Sequence, residues 1–405
     1  MIEGQIDPDF WPVARVFRSM LPRGPGGAAL CVYHCGQPVI DIWGGTRDEA
    51  GNPWQHDTIS LSYSTTKGVA STLLHILVDD GLIDYDEPVA KYWPEFAQAG
   101  KDRITVRQLM SHEAGLYDIR SMVDHASRMM DWQYMTDALA AAEPCHKPGA
   151  AHGYHGFTYG WLVGELIQRV SGQSFQDVLT ERLVKPLDAD GLYVGVPSDQ
   201  IDRRARLIMA GVQRSKDAAE KFRSYLKKTS RLLATLRIPL DPNQVAAALI
   251  PEGIEDVDFN SEEFQSVPIP AANGMFTARS LARMYAVLAN GGQLNGTRLL
   301  SKPTLERATT RQNRGIGKVI PFPMHWRLGY HRPFTIGGGV TRGFGHFGFG
   351  GSGAWADPQR KLSVAMVLNS GVGTPFGDMR IVRVGTAAVR CADRRLYGNR
   401  NGAAA

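Results

Sequence analysis

Three observations put this 405-residue chain in the α+β class. Near its start, residues 28–33 and 38–43 are apolar runs flanking His34-Cys35-Gly36-Gln37, which reads as an antiparallel hairpin. Near its end, residues 361–368 form another apolar run, and it and the hairpin are apolar enough to be partners in one sheet. Between these strands most of the legible patterning has the helical period.

In chain order, residues 8–21 predict an amphipathic helix, with Phe10, Val13, Ala14, Val16, Phe17 and Leu21 mostly on one face. Arg23-Gly24-Pro25-Gly26-Gly27 breaks it, and Gly44-Gly45 ends the hairpin. A buried helix follows Ser64, because Val69, Ala70, Leu73, Leu74, Leu77 and Val78 recur at helical spacing. Asp79-Asp80-Gly81 stops it, with Gly81 as C-cap. A short apolar helix runs through Tyr92 and Trp93, and another starts near Ile104 with Thr105 as N-cap. The chain stays helical and loop-rich to Pro148-Gly149. Helices are then expected over 161–170 and 175–187. Residues 203–236 read as a helical cap with its many Arg and Lys on a solvated face. Thr277 caps a helix over 278–289 that ends at Asn290-Gly291-Gly292, and a last helix spans about 378–396.

Composition excludes several classes. The formal charge is only +5 and no basic stripe is interleaved with aromatics, so no nucleic-acid partner is expected. The four cysteines, Cys31, Cys35, Cys145 and Cys391, form no CxxC pair and no zinc pattern, so reduced, mostly buried thiols are expected, with no metal and no cofactor. The N-terminus has neither a basic start nor an apolar core, so no signal peptide is visible, and no apolar run approaches the roughly 18 residues of a membrane helix. A cytoplasmic location is the expectation, and a homo-oligomer stays open.

The chemistry centres on Ser64 and Lys67. They are three residues apart, hence on one helical face. A hydroxyl needs a base before it attacks, and a lysine whose charged form is disfavoured by burial is such a base. The second Ser-x-x-Lys, Ser224 and Lys227, sits in a charged segment where lysine keeps its proton, so it reads as chance. Tyr154 lies in a glycine-rich turn before a helix and is a second base candidate, with Tyr159 as the alternative register. Residues 345–353 are dense in glycine, which suits either a strand that closely approaches a ligand, or a bulge or hairpin. A backbone N–H there would pair with that of Ser64 as an oxyanion hole. An α/β-hydrolase elbow is disfavoured because Gly350-Gly351-Ser352-Gly353-Ala354 lacks the last glycine. A zinc hydrolase built on His152 and His155 is disfavoured because no His-Glu-x-x-His is present.

The order Ser64-Thr65-Thr66-Lys67, Thr105 to Leu116, Tyr154-His155-Gly156, His346-Phe347-Gly348 and Trp355-Ala356-Asp357-Pro358 resembles the serine β-lactamase and penicillin-binding-protein superfamily, and within it the class C-like carboxylesterases called family VIII. The resemblance implies a β-lactamase-like fold, an antiparallel sheet flanked by helices with an inserted all-α domain. The expected division is 1–85 with 270–400 for the sheet domain, 86–269 for the insert and 401–405 for a tail. It implies Ser64 as nucleophile, Lys67 as base, Tyr154 as partner in proton transfer and the N–H of Phe349 as second oxyanion donor. His346 then stands where lactamases carry the Lys of Lys-Thr-Gly, and Gly156 where they carry the Asn of Tyr-x-Asn. Those two departures favour small esters of short to medium acyl chains as substrates, with Phe157, Phe347 and Phe349 lining an acyl pocket. The alternatives are a β-lactamase or D,D-peptidase on the same site and, more remotely, a non-catalytic binder.

Overall fold

A computed structural model describes residues 2–208, 224, 241–371 and 378–398. In chain order it contains β1 (Ile2–Ile6), α1 (Trp11–Met20), β2 (Gly27–His34), β3 (Gln37–Gly45), β4 (Ser60–Leu61), α2 (Thr65–Asp79), α3 (Val106–Met110), α4 (Trp132–Ala141), α5 (Thr158–Ser171), β5 (Leu192–Val194), α6 (Pro242–Leu249), β6 (Gly274–Phe276), α7 (Ala278–Ala289), the ribbon β7 (Gln293–Leu294) with β8 (Thr297–Arg298), then β9 (Phe344–Phe347), β10 (Gly353–Asp357), β11 (Leu362–Leu368) and α8 (Arg380–Tyr397), with shorter turns of helix between. The main sheet runs β1-β3-β2-β11-β10-β9, and every pairing in it is antiparallel. The predicted partnership of the hairpin with residues 361–368 is the β11–β2 ladder, in which Val364 faces Val32 and Leu368 faces Ala28.

Both faces of this sheet are covered. Leu30, Val32, Ile40, Ile42, Val364 and Met366 pack against α1 and α8 through Val13, Phe17, Ile381 and Val384. The opposite face carries small residues, Ala29, Cys31, Ala354, Ala356 and Ala365, against Leu281, Met284 and Tyr285 of α7. Alternation along the strands sets this division, because successive side chains point to opposite faces. Helix α2 is buried on every side from Thr65 to Val78. Its polar residues are paired inside: Thr72 Oγ1 lies 2.7 Å from Tyr330 OH, and His75 bridges Tyr85 OH at 2.7 Å and Leu328 O at 3.0 Å. The predicted stop holds: the Leu82 N–H donates to Leu77 O and that of Gly81, at φ +75°, to Val78 O. These two bonds and the left-handed glycine make a Schellman ending.

The caps at Thr105 and Thr277 are formed, accepting from Gln108 N–H and Ser280 N–H respectively. Three features escape the sequence. β1 has only two apolar residues, so its period is invisible, yet it pairs with β3 at the sheet edge. The three-stranded sheet β4-β6-β5 is made of strands of two or three residues, too short to show alternation. The glycine-dense stretch becomes two strands, β9 and β10, joined by a tight turn. Of the cysteines, Cys31 and Cys391 are buried while Cys35 and Cys145 are exposed, so only half match the buried expectation. Most of the helical cap expected over 203–236, the lysine of the second Ser-x-x-Lys and the tail 401–405 lie outside the described residues. Among the described residues no helix is long and apolar enough to cross a membrane.

Candidate active site

β4 delivers the chain to the start of α2, where Ser62 N–H donates to Gly274 O at 2.9 Å and Gly274 N–H to Thr66 Oγ1 at 2.9 Å. Between them Tyr63 is held at φ +44°, a left-handed conformation costly for an aromatic residue. Ser64 follows as the N-cap residue of α2, and its hydroxyl makes no cap bond, so it is left for other partners.

One turn on, Lys67 is fully buried. Its Nζ donates to Gly156 O at 2.6 Å and Ala271 O at 3.0 Å and lies 3.0 Å from Ser64 Oγ. No carboxylate among the described residues pairs with it, and burial holds its ammonium well below the usual 10.5. Tyr154 OH donates to Ser64 Oγ at 2.8 Å, and burial pushes its phenol up. Its ring stacks on Trp326 at 5.4 Å and 6°, meets His112 edge-on at 5.1 Å and stands 6.1 Å from His346. Tyr159, the alternative register, is fully buried with its OH 2.7 Å from Ser71 Oγ, one turn beyond Lys67. The structure therefore brings Ser64, Lys67 and Tyr154 together.

His346 is buried on β9 with Nδ1 2.9 Å from Phe347 O. A carbonyl only accepts, so Nδ1 carries the proton and Nε2 a lone pair; Nε2 has no partner among the described residues. Burial, then the nearby His331 and Lys67, push its protonation well below the usual range, so the ring is neutral. Gly348 lies against the start of α2: a Cβ there would stand 2.2 Å from Ser62 O and 2.9 Å from Thr65 Oγ1. The backbone N–H groups of Ser64 and Phe349 donate to no acceptor among the described residues. If these two N–H groups are the oxyanion donors, Gly348→Ala, which pushes this turn off Ser62, lowers kcat for an ester by about a hundredfold; kinetics on the purified variant check it, and an unchanged kcat refutes it.

Gly156 spends its carbonyl on Lys67, and a Cβ there would meet Leu249 Cδ2 at 2.6 Å and Ala248 O at 2.8 Å. Helix α6 thus fills the space that a longer side chain would use. The aromatic pocket is corrected in one member. Phe349 packs against Tyr63 at 5.4 Å and Phe157 joins the same core cluster, but Phe347 points to the other face of β9, against His331 and Phe334. Of the two histidines of the zinc alternative, His155 is otherwise engaged: its Nε2 accepts from Leu116 N–H at 3.1 Å and its Nδ1 lies 3.3 Å from His112 Nδ1. Among the described residues no group of three or more potential ligands could hold a metal ion. Ser352 is buried and its carbonyl accepts from Gly348 N–H at 2.7 Å, and Ser224 is exposed.

The sequence reading misses Trp326 and gives His112 no role, although both flank Tyr154. Trp326 lies in an irregular stretch with no periodic signal. His112 sits at φ +64°, which no pattern reveals.

The Beta-lactamase family profile matches residues 13–388. The chain is 40% identical over 372 residues to "Esterase/beta-lactamase LipL" of Mycobacterium tuberculosis, covering 90% of this chain and 82% of that protein. Its fold is similar to the crystal structure of a penicillin-binding-protein homologue from Caulobacter crescentus, with TM-score 0.83 and 35% identity over 96% of this chain and all of that one. It is also similar to a family VIII carboxylesterase, with TM-score 0.80 and 34% identity over 96% of this chain and 100% of that one.

Proposed function

Since this chain belongs to the beta-lactamase family and is a hydrolase built on that fold, we propose that it is a serine carboxylesterase acting on esters of short to medium acyl chains. The observation that carries the reading is the hydrogen-bond set of Lys67. A neutral lysine has two N–H groups and one lone pair. The carbonyls of Gly156 and Ala271 take the two N–H groups, which leaves the lone pair for Ser64 O–H at 3.0 Å. Ser64 Oγ then attacks the ester carbonyl while its proton passes to Lys67 Nζ. The backbone N–H groups of Ser64 and Phe349 hold the tetrahedral oxyanion. Tyr154 OH, already 2.8 Å from Oγ, relays the proton to the departing alkoxide. Water enters by the same route in reverse, giving the acid and free Ser64.

Two features support esters over β-lactams. A β-lactam carries a carboxylate beside its scissile amide, and His346 offers that anion a neutral ring with a lone pair instead of a cation. It also carries a side-chain amide, and Gly156 has no side chain to meet it, with Leu249 and Ala248 filling the space. An unmet buried polar group costs about 1–3 kcal/mol, so two of them lower relative kcat/KM by more than about tenfold. The expected result is a higher kcat/KM for p-nitrophenyl butyrate than for a chromogenic cephalosporin, measured side by side. The reverse order overturns the ester reading and leaves a lactamase.

The division into a sheet domain of 1–85 with 270–400 and an insert of 86–269 belongs to the same proposal. It is supported by the six strands of the main sheet, which lie wholly within 2–45 and 344–368, but the expected all-α insert is corrected, since β5 lies inside 86–269 and pairs with β6 beyond its boundary.

A further inference from the structure

From Arg307 to Ala356 the chain has seven Lys and Arg and no Asp or Glu, which leaves the rest at net −2. Within this stretch Arg332 N–H donates to Met324 O at 3.1 Å and Arg327 N–H to Tyr330 O at 2.8 Å, closing a tight loop. Trp326, on that loop, stacks on Tyr154; its neighbours His325 and Arg327 form a different cluster. Arg327 is 4% exposed. Its guanidinium donates to His325 O at 3.1 Å and Thr341 O at 3.0 Å, while its Nε is buried with no partner among the described residues. His325, at φ +51°, likewise has a buried Nδ1 with no partner among them. Gln312 N–H donates to Trp326 O at 2.8 Å, which sets Arg311 beside this loop, and the charges of Arg332 and Arg311 act on both His325 and Arg327. The side chains of Arg311 and Arg332 make no hydrogen bond or ion pair among the described residues.

Three other arginines of low exposure have a counter-charge. Arg360 bonds Asp357 at 2.8 Å and Asp393 at 2.7 Å, Arg120 reaches Glu252 at 3.1 Å and Arg380 is paired with Asp378. A buried guanidinium without a counter-charge is costly, and two more cations beside it add repulsion. Burial lowers Arg327 only to about 10, so at neutral pH it stays charged. A cluster with one buried, incompletely bonded guanidinium and two flanking ones fits an oxyanion with several acceptor oxygens, each able to take N–H bonds from a planar fork.

We propose that Arg311, His325, Arg327 and Arg332 form a binding site for a phosphate-class oxyanion, behind the loop that carries Trp326 to the ester site. The ligand is a free phosphate or the phosphate of a lipid headgroup; the chemistry recognised is the same.

Thermal unfolding of the full chain in sodium phosphate and in sodium chloride of equal ionic strength tests the site. Wild type is expected to gain at least about 2 °C in phosphate, saturably. Arg311→Ser with Arg332→Ser is expected to lose most of that gain and, freed of repulsion, to unfold in chloride no lower than wild type. Arg314→Ser, an exposed cation of the same stretch, is expected to keep the gain. General salt stabilisation would persist in the double variant, so a full gain there overturns the site, as does an equal Tm for wild type in the two salts. Co-sedimentation with vesicles separates the sources. Binding to phosphatidylglycerol but not phosphatidylcholine vesicles, lost in the double variant, assigns the lipid headgroup. A phosphate gain without vesicle binding assigns a free phosphate.

Discussion

Ser64→Ala is expected to lower kcat for p-nitrophenyl butyrate by roughly ten-thousand-fold or more, because the covalent step loses its nucleophile and only substrate binding and the oxyanion donors remain. Judged from the sequence, this substitution would barely touch stability. The contacts change that expectation. Tyr154 OH donates to Ser64 Oγ at 2.8 Å in a buried setting, so alanine leaves a phenol without its acceptor. That costs about 1–3 kcal/mol, and the variant should melt a few degrees lower while keeping its near-ultraviolet circular dichroism. A fluorophosphonate probe should label wild type on Ser64, read by peptide mass spectrometry. Near-normal turnover by the alanine variant, or a label on Ser224 or Ser352 instead, removes Ser64 from the mechanism. Folded protein that takes no label and turns over no ester is the non-catalytic binder.

Lys67→Met should be comparably inactive, and its pH dependence is diagnostic. Burial lowers the folded-state pKa of Lys67 from the usual 10.5, so between the two values the unfolded chain binds more protons than the folded one. Folded stability attributable to Lys67 is therefore highest above 10.5, falls as the pH drops and reaches its floor below the folded pKa. The difference in Tm between wild type and Lys67→Met should accordingly shift in favour of wild type as pH rises from 6 to 10. A difference independent of pH would mean that Lys67 is charged in the fold. Activity should have an acidic limb, since protonating Lys67 removes the base. Lys67 and Tyr154 both contact Ser64, so the limb is expected to report the pair rather than either group alone. Tyr154→Phe should also cost at least about a hundredfold, whereas Tyr159→Phe, whose hydroxyl meets Ser71, should act mainly on stability.

Much of the site was legible because its pieces are local. Ser64 and Lys67 share one helical turn, the apolar period of α2 announces burial, and glycines at 350 and 351 announce a turn with unusual backbone. What was not legible is non-local. The carbonyls serving Lys67 come from Gly156 and Ala271, 89 and 204 residues away, and a backbone carbonyl has no signature in a sequence. Trp326 reaches Tyr154 from an irregular loop. Phe347 was placed in the pocket beside its neighbour His346, but both lie on β9, where successive side chains point to opposite faces, so only one of the two faces the site.

By itself the sequence determined the α+β class, the two capped helices at Thr105 and Thr277, the apolar strands of the hairpin and of 361–368, and the pairing of Ser64 with Lys67 on one helical turn. Each of these follows from period, capping or spacing within a few residues, where local sterics and burial act directly. The tertiary structure alone decided that Tyr154 rather than Tyr159 reaches Ser64, that Leu249 fills the space at Gly156, and that Lys67 is enclosed without a counter-charge among the described residues. Those outcomes depend on how α2, α5, α6 and the β9–β10 turn converge. Proton affinity and substrate fit are set by what surrounds a group in space, and only the folded chain supplies those neighbours.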